Sequence, residues 1–289
     1  MAEWLITEPG IYDGMPAEVY HADPVPEGSL SSSGAKRLLP PSCPALFRYA
    51  DKPATRRMEH GTAAHTVVLG AGAGLHRIEA DDWRKNATKA EAEAARGEGL
   101  TPVLAAAHDR ILAMAAALRR HRAASLLFAP GSGLAEQSAF WHDTEYTVGG
   151  GPLWRRCRYD WLPHGAGGVI LVPDYKTSER ADPDFTARQI ATMGYYQQGA
   201  WYRDGVATLR PGFEVRFVLV VQETQPPYLV GCYNLHPRSL ALGAAKNRRA
   251  MEIWRDCTES GVWPGYDPFE GIATLDLPRW AYPYDSEDY

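Results

Sequence analysis

Two carboxylates and an amine recur at strand ends in this chain. Residues 169–178 read VILVPDYKTS, an apolar run followed by Asp174 and Lys176 with Tyr175 between them. Side chains alternate along a strand, so Asp174 and Lys176 share one face and Tyr175 points to the other. The unbroken VILV run suggests a strand covered on both faces, with Asp174 marking where it leaves the core. One strand earlier, RRCRYDWLP carries Asp160 near its end, where a neighbouring or slightly bent strand would set it beside Asp174. Two carboxylates about 4 Å apart repel by roughly 4 kcal/mol at an effective dielectric of 20, a cost that a divalent cation removes. Hard oxygen donors of this kind suit Mg²⁺, and a lysine beside them suits the charge on a phosphate.

Other residues fall into place around this group. Glu136 begins the strand before Asp160, and His65 lies in the short helical segment HGTAAHTVVLG. After Lys176 comes DFTARQIATMGYYQQGAWYRDG, in which Tyr195, Gln198 and Tyr202 recur at i, i+3 and i+7 and line one helical face. Such a face could hold a DNA backbone or the outer shell of a metal ion.

The elements that must carry these residues follow from periodicity. Residues 33–50 and 60–70 read as short helices, and 102–124 as a longer one with Pro102 in its first turn. After Gly133 the period becomes two, giving strands at 136–143, 153–163 and 168–177, a consecutive meander with glycine-rich turns. Pro183 opens a helix expected to end at Gly205 as its C-terminal cap. Strands at 213–224 and 228–235 and a helix at 237–256 complete the order. The fold class expected is α/β, a mixed central sheet with helices on both faces and a helical N-terminal region. The chain reads as one domain: 1–130 mainly helical, 131–260 the catalytic core and 261–289 a tail. Segments 70–100 and the proline-rich end after 263 look most like linkers.

Composition limits the alternatives. The 289 residues carry a net charge of −5, which argues against a protein that coats nucleic acid by bulk charge. Basic clusters at Lys36-Arg37, Arg56-Arg57, Arg119 to Arg122, Arg155 to Arg158 and Lys246 to Arg249 could act locally, although each is more often a solvated face. The four cysteines form no CxxC pair, so no zinc ribbon or iron–sulfur cluster is expected. Without an apolar run long enough to span a bilayer or a leader-like start, the chain is expected to be cytoplasmic.

Taken together, His65, Glu136, Asp160, Asp174-Tyr175-Lys176 and Gln198 to Tyr202 resemble the PD-(D/E)XK nuclease superfamily, in particular its RecE-type exonuclease branch. SLSSSGAKRLLPPSCPALFRYA, CRYDWLP, YYQQGAWYRDG and LPRWA carry the resemblance along nearly the whole chain. In that pattern Asp160, preceded by tyrosine, stands for the acid of the "PD" pair, Asp174 for the (D/E) and Lys176 for the lysine.

The resemblance implies that His65, Asp160, Asp174 and the Tyr175 carbonyl ligate Mg²⁺ or Mn²⁺, and that Lys176 positions the attacking water. Glu136 would lie in the outer shell or serve a second metal, and Gln198 with Tyr202 would orient the strand being cut. It also implies digestion of linear double-stranded DNA from 5′ ends, leaving 3′ overhangs for phage-type recombination with a RecT-type annealing protein. A ring of copies around the duplex, such as a tetramer, belongs to the same expectation, with Tyr195, Arg155, Arg156 and Arg158, or the Lys246 to Arg249 cluster, against the DNA.

Overall fold

The computed structural model describes residues 4–50, 64–70, 74–266, 271–272 and 274–282. The Arg56-Arg57 cluster, the start of the helix expected from 60 and the acidic residues from 285 onward lie outside the described residues. In chain order the elements are β1 (Gly10–Tyr12), α1 (Ala17–Ala22), β2 (Leu30–Ser31), α2 (Ser32–Arg37) and α3 (Pro44–Tyr49). Helical residues 64–69 form α4. Then come β3 (Leu75–Ile78), α5 (Asn86–Gly97), β4 (Thr101–Leu104), α6 (Ala105–Arg120) and α7 (Arg122–Leu127). The second half contains β5 (Gly133–Val148), β6 (Gly151–Pro163), β7 (Val169–Ser178), α8 (Pro183–Met193), α9 (Tyr195–Leu209), β8 (Glu214–Glu223), β9 (Val230–Asn234) and α10 (Pro237–Ser260).

The strands form a four-stranded sheet in the order β1-β5-β6-β2 and a three-stranded sheet in the order β7-β8-β9, with β6 and β7 alongside one another. Pairing is mixed: β5 with β6 and β8 with β9 are antiparallel, while β7 with β8 and β2 with β6 are parallel. Because β7 and β8 are parallel, the chain must cross over between them, and α8 and α9 supply that crossover. Alternate residues then feed two cores. Ile170, Val172, Phe217, Leu219 and Val221 join Trp201 and Val206 of α9 and Met251 of α10. Tyr175, Val218 and Val220 join Met114 and Leu118 of α6, Phe128 and Ala64 on the opposite side. Helices therefore cover both faces, as the sequence pattern indicates.

Four local expectations change. Pro102 lies in β4, paired with β3, rather than in the first turn of α6; in a two-stranded sheet a missing donor on the outer edge is tolerated. The linker-like 70–100 segment contains β3 and α5. The three-strand meander stops at β6, because β7 pairs with β8 instead. The helix after Pro183 breaks at Gly194, left-handed at φ 66°, so Gly205 lies inside α9. A Cβ at Gly205 would come within 2.7 Å of the Tyr159 hydroxyl and 2.9 Å of the Trp141 ring, so close packing selects glycine there.

A second helical glycine sets how near α10 approaches α9. A Cβ built on Gly243 would fall 2.3 Å from the Tyr196 carbonyl oxygen, a backbone atom that cannot swing aside. Gly243→Ala is expected to destabilise the fold by about 2 kcal/mol through forced separation of the helices. A thermal melt that left the variant level with the parent would contradict the close approach.

Candidate active site

Among the described residues β7 is hydrogen-bonded to β8 alone, and its other edge makes the site. In a parallel ladder the amide and carbonyl of one residue point to the same side. Pro173 and Tyr175 both present theirs away from β8, so proline costs nothing at 173. Two residues on, the Tyr175 amide donates to Asp160 Oδ2 of β6 at 2.8 Å. The Tyr175 carbonyl accepts from His65 Nε2 of α4 at 2.9 Å. A carboxylate and an imidazole thus replace the missing strand partner.

On the α9 face of β7, Asp174 is entirely buried. It is therefore not the point where the strand leaves the core, which corrects the sequence expectation: β7 continues to Ser178, and the acid sits mid-strand. Gln198 of α9 donates from Nε2 to Asp174 Oδ1 at 2.8 Å, and Lys176 Nζ lies 2.6 Å from Asp174 Oδ2. That second contact is a buried ion pair, so both oxygens of Asp174 are held from within the chain. Lys176 also stands 5.8 Å from the centre of the Tyr195 ring. Tyr202 donates its hydroxyl to the Arg158 carbonyl at 2.9 Å, two residues before Asp160 closes toward β7. The i, i+3, i+7 face of α9 accordingly looks onto these two strands.

The charges are strongly interdependent. Burial raises the Asp174 carboxyl above its usual range; Lys176 opposes this and the neighbouring Asp160 adds to it. Burial alone would pull the Lys176 ammonium down, but Asp174 and Asp160 outweigh it and hold the proton on. At His65 the carbonyl of Tyr175 can only accept, so Nε2 carries hydrogen, and Nδ1 faces Asp160 Oδ2 at 3.8 Å.

Among the described residues no three His, Cys, Asp or Glu side chains stand grouped as a ready metal cage. The donor types nevertheless match a hard divalent ion that keeps several waters: the Asp160 and Asp174 carboxylates, the Tyr175 carbonyl and the His65 ring.

Glu136 is held by a neighbouring arginine. It lies across from Asp160 where the β5–β6 ladder breaks, between the Ala135–Trp161 and Gln137–Tyr159 pairs, in a left-handed conformation at φ 55°. Its carboxylate pairs with Arg158 Nε at 2.6 Å. The strained backbone and the salt bridge turn it toward Arg158.

The arginines expected against DNA are engaged inside the fold. Arg155 is 4% exposed, pairs with Asp143 and Asp204, and lies over the Trp141 and Trp201 rings. Arg156 holds Asp23 and Ser29, which anchors the loop before β2. Arg158 binds Glu136, Ser138 Oγ and the Met15 carbonyl. Lys246 donates to the Tyr196 hydroxyl, whereas Arg249 stays exposed in a surface pair with Glu252.

Sequence reading left Lys36 on a solvated face. The structure sets its stem against Gly194, next to Tyr195 of the site, with Nζ donating to the Met193 carbonyl at 3.3 Å, and Lys176 and Asp174 both act on its charge. Only its place in the Lys36-Arg37 cluster signalled it.

No family model and no curated protein matches the chain. Among solved structures, a crystal structure of a Eubacterium rectale protein provisionally named an exonuclease superposes with a TM-score of 0.54. The match covers 91% of this chain and 96% of that one at 12% identity. The fold is shared along nearly the full length. A second structure, SSO0001, overlaps 67% of this chain and 84% of its own at 14% identity with a TM-score of 0.29, too low to weigh. Among the described residues no helix is long and apolar enough to cross a membrane.

Proposed function

We propose that the chain is a metal-dependent exonuclease that hydrolyses phosphodiesters from the ends of linear double-stranded DNA, in the manner of the RecE-type branch. The observation that carries this reading is the meeting of Asp160, Asp174, Lys176, Gln198 and His65, from four separate elements, at the free edge of β7. The full-length likeness to a protein named as an exonuclease supports the same reading. His65, Asp160, Asp174 and the Tyr175 carbonyl would hold Mg²⁺ or Mn²⁺, which when bound would supply charge stabilisation and an activated water.

The chain's own groups have distinct tasks. Lys176, kept protonated by the two acids, offers positive charge to the phosphoryl oxygens as negative charge grows on them. Gln198 fixes the Asp174 carboxylate through Oδ1 and leaves Oδ2 to Lys176. Tyr202 steadies β6 beside Asp160, and Tyr195 forms the wall against Lys176. Polarity from 5′ ends, 3′ overhangs, a RecT-type annealing partner and a ring-shaped homo-oligomer belong to this proposal. DNA contacts through Arg155, Arg156 and Arg158 do not, because those side chains are already committed within the fold.

Purified protein with Mg²⁺ is expected to shorten linear duplex DNA, to stop when the metal is chelated, and to leave covalently closed circles intact. Equal attack on circles would replace the end-dependent reading with an endonuclease of the same chemistry. Binding of the duplex without cleavage under any divalent metal would point to a DNA-binding relative.

A further inference from the structure

Among the described residues the Lys36 ammonium bonds to a backbone carbonyl and not to a carboxylate. It projects from α2, whose first turn is capped by the Ser31 hydroxyl accepting the Gly34 amide at 3.1 Å, and α2 packs on α9 and α10. Its stem occupies the notch at the α8–α9 break, where a Cβ on Gly194 would meet Lys36 Cδ at 3.0 Å. Of three donors, one is directed to the Met193 carbonyl. Among the described residues its neighbour is thus a carbonyl, whereas Lys176 has the Asp174 carboxylate at 2.6 Å. The two ammoniums act on one another as like charges, an arrangement that a bound anion relieves.

The charge count at the site agrees. Asp160 and Asp174 are matched by Lys36 and Lys176, so a divalent ion would leave the site positive by two. That excess suits a phosphodiester gaining negative charge. We propose that Lys36 is a substrate-binding residue of this site, holding a non-bridging oxygen of a DNA phosphodiester beside Lys176. The proposal rests on the nuclease reading above for its substrate. Burial, followed by the like charge of Lys176, pulls the Lys36 pKa down to about 8 against the opposing pull of Asp174; a bound phosphate would reverse this.

Anisotropy of a labelled short linear duplex, in chelator so that nothing is cut, separates the two readings. Against the parent, Lys36→Met is expected to bind about tenfold more weakly, with the salt dependence of log affinity reduced by about one, and Lys36→Arg to recover most of both. In Mg²⁺ the Met variant should lose cleavage at limiting DNA and regain it at saturation. Lys36→Gln serves if the Met variant does not fold. A parent that binds but never cuts, with Lys36→Met still weakened, would uphold Lys36 and overturn the exonuclease. A parent that does not bind the duplex, or Lys36→Met and Lys36→Gln variants that bind like it with the same salt slope, would overturn the assignment of Lys36.

Discussion

Asp174→Asn should lower metal-dependent cleavage of linear duplex DNA about a thousandfold, the scale reached when a group that stabilises transition-state charge is removed from a protected site. The substitution preserves shape, and Asn Oδ1 can still accept from Gln198 Nε2. What it removes is the negative charge facing Lys176 and the acceptor Oδ2. Stability should change little, by about 1 kcal/mol, because two effects oppose one another. The buried carboxylate no longer has to be desolvated or held near Asp160, and Lys176 loses its partner but keeps the attraction of Asp160. A quantitative cleavage assay beside a thermal melt reads both. Activity within a few-fold of the parent in a folded variant would remove Asp174, and with it the metal reading, from the chemistry.

Arg155→Met is the second large effect, and it falls on the fold instead of the DNA. The guanidinium is buried between Trp141 and Trp201, 4.9 and 4.2 Å from the ring centres, and bonds to Asp143 Oδ2 at 3.1 Å and to Asp204. Asp143 is only 8% exposed, so losing the cation strands a buried carboxylate. Breaking such a pair from one side costs about 3–5 kcal/mol. In a chain of this size that lowers the melting temperature by about 10 °C. The folded fraction should bind DNA like the parent, and adding Asp143→Asn should return part of the stability. A loss of DNA affinity at unchanged melting temperature would restore the surface role read from the sequence.

These two residues show what the sequence could and could not reveal. Period-two alternation located β5 to β9 to within a few residues, because one or both faces of each strand are buried and the pattern is local. The site acids and the α9 stripe were visible for the same reason: spacing alone puts Asp174 with Lys176, and Gln198 with Tyr195 and Tyr202, on shared faces. Partnerships made across the fold leave no local trace. Arg155, Arg156 and Arg158 look like a basic patch until Asp143, Asp204, Asp23 and Glu136 are brought to them from other parts of the chain. The parallel pairing of β7 with β8 was hidden by the two helices between them, and the depth of Asp174 was hidden with it. Lys36 stood out no more than any other basic cluster for the converse reason: its six-residue helix shows nothing of the site until α9 is in place.

Asp160 reaches from one hydrogen-bonded sheet to the backbone of the other, so a single side chain both fastens the molecule's seam and equips it. An alanine at that position would undo the fastening along with any chemistry, and its inactivity would say nothing about which was lost. The amide isostere keeps an oxygen for the Tyr175 amide while giving up the charge. At this residue, architecture and reactivity can be told apart only by a substitution that leaves the stitch in place.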